Sequence, residues 1–243
     1  MIWVYAVVDR PDLPPPRCPG LGDGALAIVA AGPIAAVVGT VAGRPTEMQV
    51  DALWRHEEVI EALMRDRTAL PVRYGTVAPT ASAVRAALAR ASAALVAGLA
   101  HVAGRVEIAV RFIHDRSASI ACVAATAPSG REGTAFLMAR VAVERAARQR
   151  NDRLMAAVGP ALARLGELAV AHHAEVVEGP VDSVASAFLV ERDGLAAFRN
   201  AVAAIAAADP RRAVLCSGPW PAYSFVGGAM ADLAAGASSD ARH

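Results

Sequence analysis

The stretch Val106-Glu107-Ile108-Ala109-Val110-Arg111-Phe112 alternates large apolar residues with polar or small ones. This two-residue period is typical of a strand with one buried face. After residues 115–130, which show no clear period and predict a variable loop, the sequence is strongly helix-forming from Arg131 to Ala157. Gly159-Pro160 then predicts a kink or a break before a last helical run over 161–170.

The remainder of this half predicts a hairpin, a helix and a final strand. Two extended segments, 174–178 and 184–190, flank a Gly179-Pro180 turn, and an amphipathic helix over 193–207 precedes a short strand over 213–217. The order strand, helix, strand, strand, helix, strand is the β-α-β-β-α-β pattern of a ferredoxin-like fold. We therefore expect an α+β protein with a ferredoxin-like C-terminal domain over residues 104–226.

Before this half, the sequence predicts a small sheet. Residues 2–8 are short, β-branched and apolar, and segments 26–30 and 34–41 flank a Gly32-Pro33 turn. The uncharged run 25–43 is nearly long enough to cross a membrane, but Gly32-Pro33 interrupts it, so a buried hairpin is favoured. Three strands joined in this way need a helix to cover them.

Two helices are predicted to follow the small sheet. Thr46-Glu47-Met48-Gln49 has the form of a capping box that begins a helix running to about Arg67. Residues 70–77 are extended, and Thr80 can cap a second helix that Gly98 and Gly104 end. We expect an N-terminal α+β domain over 1–103 and a flexible tail over 227–243.

The composition limits the classes of function. The chain has 243 residues, 55% of them hydrophobic, and a formal net charge of +1. A protein with so small a net charge lacks the strong positive field of a general nucleic-acid binder. Cys18, Cys122 and Cys216 are odd in number and far apart, which favours a reducing compartment, and no signal peptide is recognisable. We expect a cytoplasmic protein that binds no nucleic acid and has no membrane span.

No motif in the sequence predicts catalysis. His56-Glu57 resembles the start of a zinc-protease motif, but position 60 is isoleucine where a second histidine is needed. The adjacent His172 and His173 point in different directions, which makes joint binding of one ion awkward. Phosphate-binding glycine loops and nucleophile elbows are also absent from the sequence. We expect no enzyme, no catalytic residue, no cofactor and no metal.

Arginines crowd the long helical region, and two interpretations stay open. Arg140, Arg145, Arg148, Arg150 and Arg153 are balanced only by Glu144 and Asp152. A solvated face with i,i+4 ion pairs is the simpler interpretation. Binding of an acidic partner or a nucleic acid is the other, and steeply salt-dependent binding would indicate the nucleic acid.

Three collinear stretches of the sequence resemble the motifs of one known protein family. The first is residues 53–61 followed by Leu70-Pro71-Val72-Arg73-Tyr74-Gly75-Thr76-Val77, similar to the family's LPVRFGT signature with tyrosine for phenylalanine. The second is 106–110 with 133–137, which resembles the start of the second domain of the family. The third, 218–226, is similar to a GPWPPYSFV ending with alanine for one proline. The resemblance, which covers residues 2–226, is to the gas vesicle accessory proteins of the GvpL/GvpF family.

The resemblance implies an accessory or minor structural protein that assembles gas vesicles, with an N-terminal α+β domain and a modified ferredoxin-like C-terminal domain. Its implied partners are the small hydrophobic shell protein and other gas vesicle accessory proteins. The motif positions, expected to pack the fold or to bind a partner, are Trp54, His56, Glu57, Arg73, Tyr74, Gly75, Thr76, Gly218, Pro219, Trp220, Pro221, Tyr223, Ser224 and Phe225. The alternative function is a ferredoxin-like enzyme, or a regulator that binds a small ligand in the cleft between domains.

Overall fold

The structure, a computed structural model, describes residues 1–43, 49–114, 132–179, 181–209 and 211–227. These residues form an α+β fold with two antiparallel sheets and five α-helices. They divide into two compact units, one made of residues 1–107 with the described residues from Pro219 onward, the other of residues 108–218. Residues 219–226, which we expected in the C-terminal domain, thus cluster with the first unit.

The sheet of the first unit has five strands. They are β1 (Ile2–Val8), β2 (Leu26–Ala31), β3 (Ile34–Thr40), β4 (Ala69–Pro71) and β5 (Val77–Ala78). Their order is β2-β3-β1-β4, with β5 also paired to β1. The structure confirms the predicted turn between β2 and β3, where Gly32 has a φ of 64° that favours glycine. The short β4 and β5 pair antiparallel with the two ends of β1.

Strand β1 lies at the centre of this unit because helices cover both of its faces. Trp3 and Tyr5 share a core cluster with Val59 and Ile60 of α1 (Val50–Leu63). Successive side chains of a strand point to opposite faces, and Val4 lies beside Val84 of α2 (Ala81–Arg90). The predicted helix that covers the sheet is therefore confirmed as α1.

Two helix boundaries differ from the predictions. Helix α1 ends at Leu63 rather than near Arg67, because the chain turns so that the buried Arg67 donates to the carbonyl of Pro14 at 2.9 Å. Thr80 caps α2 as predicted, but the expected single helix is two, with α3 (Ser92–Val102) bent by 78° from α2. Gly98 lies within α3 and does not end it. The predicted capping residues 46–48 lie outside the described residues.

The second sheet confirms the predicted element order. Its strands and the helices that connect them are, in chain order, β6 (Arg105–His114), α4 (Glu132–Gly166), β7 (Ala171–Val177), β8 (Asp182–Glu191), α5 (Leu195–Ala208) and β9 (Arg212–Trp220). The strand order is β7-β8-β6-β9. Each helix thus connects two strands that have a third strand between them, which is the split βαβ arrangement of a ferredoxin-like fold.

Helix α4 is continuous at Gly159-Pro160, so the break that was one of the two predictions there is wrong. It runs through Pro160, which has no N–H to donate within the helix. Val158, Leu162 and Leu165 on either side of the proline are buried in the core of the second unit and hold this part of the helix in place. The predicted variable loop and all of the tail beyond Gly227 lie outside the described residues.

No single helix in the described part of the chain is long and apolar enough to cross a membrane. Helices α2 and α3 would meet the length and composition criteria only when taken together, and they are strongly bent.

Candidate functional site

His56 of α1 lies at the centre of a buried cluster in the first unit. The indole Nε1–H of Trp3 donates to Nδ1 of His56 at 3.0 Å. On the other side of the ring, Nε2 lies 2.9 Å from the carbonyl oxygen of Val72. An indole only donates and a carbonyl only accepts, so His56 must carry its proton on Nε2 and accept on Nδ1. Both ring nitrogens are therefore occupied.

The environment of His56 keeps its ring neutral. Burial lowers the pKa of His56 from 6.5 to about 4, although the hydrogen bond to Val72 opposes this change. Protonation would place a second N–H on Nδ1, where it would face the indole N–H of Trp3. At neutral pH the ring acts as a fixed connector between β1, α1 and the chain after β4.

Aromatic rings surround His56. Tyr5 stacks on its ring with centroids 5.3 Å apart, and Tyr74 meets it edge-on at 5.7 Å. Tyr74 also meets Trp3 edge-on at 4.9 Å. We call Trp3, Tyr5, His56 and Tyr74 the motif cluster, because two of the four stand at predicted motif positions and the other two hold them.

The stretch 70–77 interrupts the sheet with a tight turn. The N–H of Val72 donates to the main-chain carbonyl of Tyr5, and the N–H of Val4 donates to the main-chain carbonyl of Thr76. The chain therefore leaves β1 after Val72 and rejoins it at Thr76. Between these points, both the N–H and the hydroxyl of Thr76 donate to the carbonyl of Arg73. Gly75 has a φ of 86°, a conformation that side chains disfavour. The turn places the ring of Tyr74 against Trp3 and His56.

Two other motif side chains face solvent. Trp54 of α1 is 59% exposed, and Arg73 is exposed at the tip of the turn. Neither side chain has a described hydrogen bond or ion pair that would explain its residue type.

The C-terminal segment, residues 219–227, is attached to the first unit by two carboxylates. The hydroxyl of Tyr223 donates to Glu57 at 2.6 Å, and burial raises the pKa of both groups. Ser224 donates twice to Glu107, from its backbone N–H at 2.8 Å and from its hydroxyl at 2.7 Å. The structure thus brings the first and third motif stretches together.

The other C-terminal motif residues vary in exposure. The carbonyl of Gly218 accepts from Arg199 at 2.9 Å, and Gly218 has a φ of 116°. Pro221 is buried, whereas Trp220 and Phe225 are half-buried and Pro219 is exposed. Gly218 falls in the second unit, whereas the motif residues from Pro219 onward fall in the first.

Three residues of this arrangement were missed from sequence. Trp3 and Tyr5 lie in a strand that the sequence identifies only as apolar. Glu107 is a polar member of the alternating stretch, whose period predicts only one buried face, but its side chain is buried beneath Ser224. The one signal available was an acidic residue early in an apolar strand.

The structure also shows the surroundings of His172, the first of the two adjacent histidines. His172 of β7 pairs across the sheet with Phe188, and their rings stack with centroids 5.4 Å apart. In the described part of the chain no three His, Cys, Asp or Glu side chains are grouped so that they could hold a metal ion.

The sequence matches one known protein family over most of its length. Residues 1–227 match the family described as "Gas vesicle synthesis protein GvpL/GvpF". The chain belongs to the GvpL/GvpF family. One curated relative, "Gas vesicle protein L" from a Streptomyces species, is 31% identical over 193 residues, covering 75% of this chain and 71% of the relative. The resemblance of the three motif stretches is therefore confirmed as family membership, and the chain is a gas vesicle protein.

Solved structures of GvpF proteins share the fold. The crystal structure of GvpF from Anabaena sp. superposes with a TM-score of 0.72 at 18% identity, covering 93% of this chain and 95% of that one. GvpF from Microcystis aeruginosa gives a TM-score of 0.70 at 15% identity, covering 93% and 98%. These matches confirm the α+β fold of this GvpL/GvpF member.

Proposed function

We propose that this GvpL/GvpF protein assembles gas vesicles in the cytoplasm by binding the hydrophobic shell protein and other accessory proteins, without catalysis. The observation that carries the proposal is an uncharged helix face that the first unit leaves in water. Helix α3 contains no acidic or basic side chain apart from His101. A helix of that composition is typical of a buried position, yet one of its sides is exposed.

The exposed side of α3 is apolar up to the exposed His101 in its last turn. Val96 is 42% exposed, and Ala93, Ala97 and Ala100 are exposed on the same helix. Contiguous apolar surface on a soluble chain commonly marks a site of interaction. An apolar segment of a shell protein needs such a surface, because any charge facing it would lose its water without gaining a partner.

An open groove of about 300 Å³ adjoins this face. It is lined by Asp9, Pro33, Ile34, Val96, Leu99, Ala100 and Ala103. The lining is aliphatic apart from the carboxylate of Asp9, which already accepts from the N–H of Thr68 at 3.0 Å, so a large apolar side chain of the bound segment can enter the groove. We propose that the face of α3 and this groove together bind the shell protein.

The motif cluster supports a role in binding rather than in chemistry. His56 is the motif residue best suited to acid–base catalysis, but both of its nitrogens are engaged and its pKa is far below neutrality. We propose that the cluster fixes the first unit, while the exposed Arg73 contacts other accessory proteins.

Co-purification of the shell protein with variants of the full-length chain tests the proposal. Val96→Asp places a charge in the apolar face and should reduce the shell protein recovered by at least about tenfold. Val170→Asp is the matched control, because Val170 is 45% exposed but lies in the second unit, and recovery should stay at the wild-type level. Equal recovery with both variants would contradict the proposed surface.

A further inference from the structure

Helix α1 presents a stripe of exposed residues whose chemistry changes along its length. Val50, Trp54, Glu58 and Glu61 recur at intervals of four, four and three residues, which places them on one side of the helix. All four are exposed. The stripe, which we call the α1 stripe, is apolar at its first two positions and acidic at its last two.

Helix α4 presents a stripe of the same design with the opposite charge. Met138, Val141, Arg145 and Arg148 recur at intervals of three, four and three residues, and all four are exposed. This α4 stripe precedes the part of the helix that enters the core, which begins at Leu154. Exposed apolar side chains such as Met138, at 67%, are costly to leave in water.

The two stripes match position by position when the helices run parallel. The pairs are Val50 with Met138, Trp54 with Val141, Glu58 with Arg145 and Glu61 with Arg148, and within each pair the residue numbers differ by 87 or 88. Each stripe is about 15 Å long at the α-helical rise per residue. Apolar residues would then meet apolar residues, and each carboxylate would meet a guanidinium.

We propose that the α1 stripe of one copy of the chain binds the α4 stripe of a second copy. The apolar ends supply attraction by leaving water, and the charged ends fix the register and the direction of the helices. In the single chain Glu58 pairs with Arg55 at 3.0 Å, but both side chains are solvent-exposed, so exchanging that partner costs little. Arg145 and Arg148 have no ion pair in the described part of the chain.

The proposed contact joins two different surfaces, and each copy carries both. Two copies can therefore exchange the contact reciprocally, or successive copies can repeat it in a row. Because the charged ends lie at the surface, dissolved salt should weaken the association. The proposal does not depend on binding of the shell protein, since the pure chain alone should associate.

Analytical ultracentrifugation of the full-length chain tests this contact. At about 0.02 M salt the wild-type chain should associate with increasing concentration, and at about 0.5 M salt it should dissociate at least partly. R145E/R148E and E58R/E61R should each weaken the association at least about tenfold, because like charges then face each other. Arg153→Glu is the control, because Arg153 is exposed on another side of α4, and it should associate as wild type does.

Mixing the two reversed variants gives the decisive result. Each variant alone carries two stripes of like charge, but an equimolar mixture pairs acidic with basic stripes at both contacts, and association should return. Circular dichroism would confirm that every variant is folded. A chain that stays monomeric at low salt, or an association that both reversals leave unchanged, would overturn the proposal. So would a mixture that stays dissociated.

Discussion

The hydroxyl of Tyr223 donates a 2.6 Å hydrogen bond to a carboxylate oxygen of Glu57, joining residues 166 positions apart in the chain. Glu57 follows the buried His56 on α1, so the bond links the C-terminal segment to the helix that carries the centre of the motif cluster. In this contact a phenol donates to a carboxylate, and both groups are partly buried. The bond therefore joins two motif stretches that lie far apart in the sequence.

Removing the hydroxyl of Tyr223 should destabilise the chain. Tyr223→Phe leaves the ring in place but deprives a half-buried carboxylate of its donor, and we expect the free energy of unfolding to fall by about 2 kcal/mol. Urea denaturation followed by tryptophan fluorescence measures it. Glu57→Gln is the comparison, because it keeps an oxygen acceptor for Tyr223 and should cost less. A Tyr223→Phe chain as stable as wild type would contradict the assigned contact.

The carboxylate of Glu107 should protect the backbone of the C-terminal segment. In Glu107→Ala the N–H of Ser224 loses its acceptor, so its hydrogen exchange should accelerate by at least about tenfold. Ser224→Ala removes only the hydroxyl and keeps the backbone bond to Glu107, so most of the protection should remain. Hydrogen–deuterium exchange of the peptide that contains Ser224 distinguishes the two variants. Equal exchange in wild type and Glu107→Ala would show that this bond does not hold the segment.

Most strands and their order along the chain were predictable, because apolar residues recur with the period of the positions that are buried in a strand. The alternation of 106–112 and the β-branched run 2–8 identified β6 and β1, and Thr80 identified the start of α2 through its capping hydroxyl. These signals are local, since the residues that determine them are neighbours in the chain.

The candidate site could not be derived in the same way, because its contacts join distant segments. Nothing near Glu107 predicts that Ser224 will cover it, and nothing near Trp3 predicts a hydrogen bond to His56. The continuity of α4 through Pro160 has a similar origin. Its local sequence favours a break, and burial of neighbouring leucines in the core prevents one.

His56 should make stability depend on pH. Its pKa is lower in the folded chain, about 4, than in the unfolded chain, about 6.5, so between these values the unfolded chain binds more protons. The free energy of unfolding should therefore fall as pH drops through this window, by about 3 kcal/mol in total. Glu57 acts in the opposite sense, because its raised pKa favours proton binding by the folded chain.

A variant without the imidazole isolates the contribution of His56. His56→Gln cannot titrate in this range, so its stability should vary less between pH 6.5 and pH 4 than that of the wild type. Denaturation of both proteins at several pH values measures the difference. If the stability of both proteins depended on pH in the same way, this would contradict a His56 ring that is neutral and hydrogen-bonded at both nitrogens.

Gly75 should be required by the turn that positions Tyr74. At a φ of 86° an alanine is strained even though its side chain would meet no neighbouring atom, so Gly75→Ala should destabilise by about 1 kcal/mol. Gly43→Ala is the control, since an added methyl group also meets no neighbour there and no positive φ is involved. Thermal unfolding of the three proteins measures the effect, and equal midpoints would contradict the conformation of the turn.

Electron microscopy of gas vesicles in a strain that lacks this gene tests whether the protein assembles gas vesicles. We expect few or misshapen vesicles in that strain, recovery when the wild-type gene or Val170→Asp is supplied, and no recovery with Val96→Asp. Vesicles that are unchanged in number and shape without the protein would contradict the account, and full recovery with Val96→Asp would contradict the assigned surface.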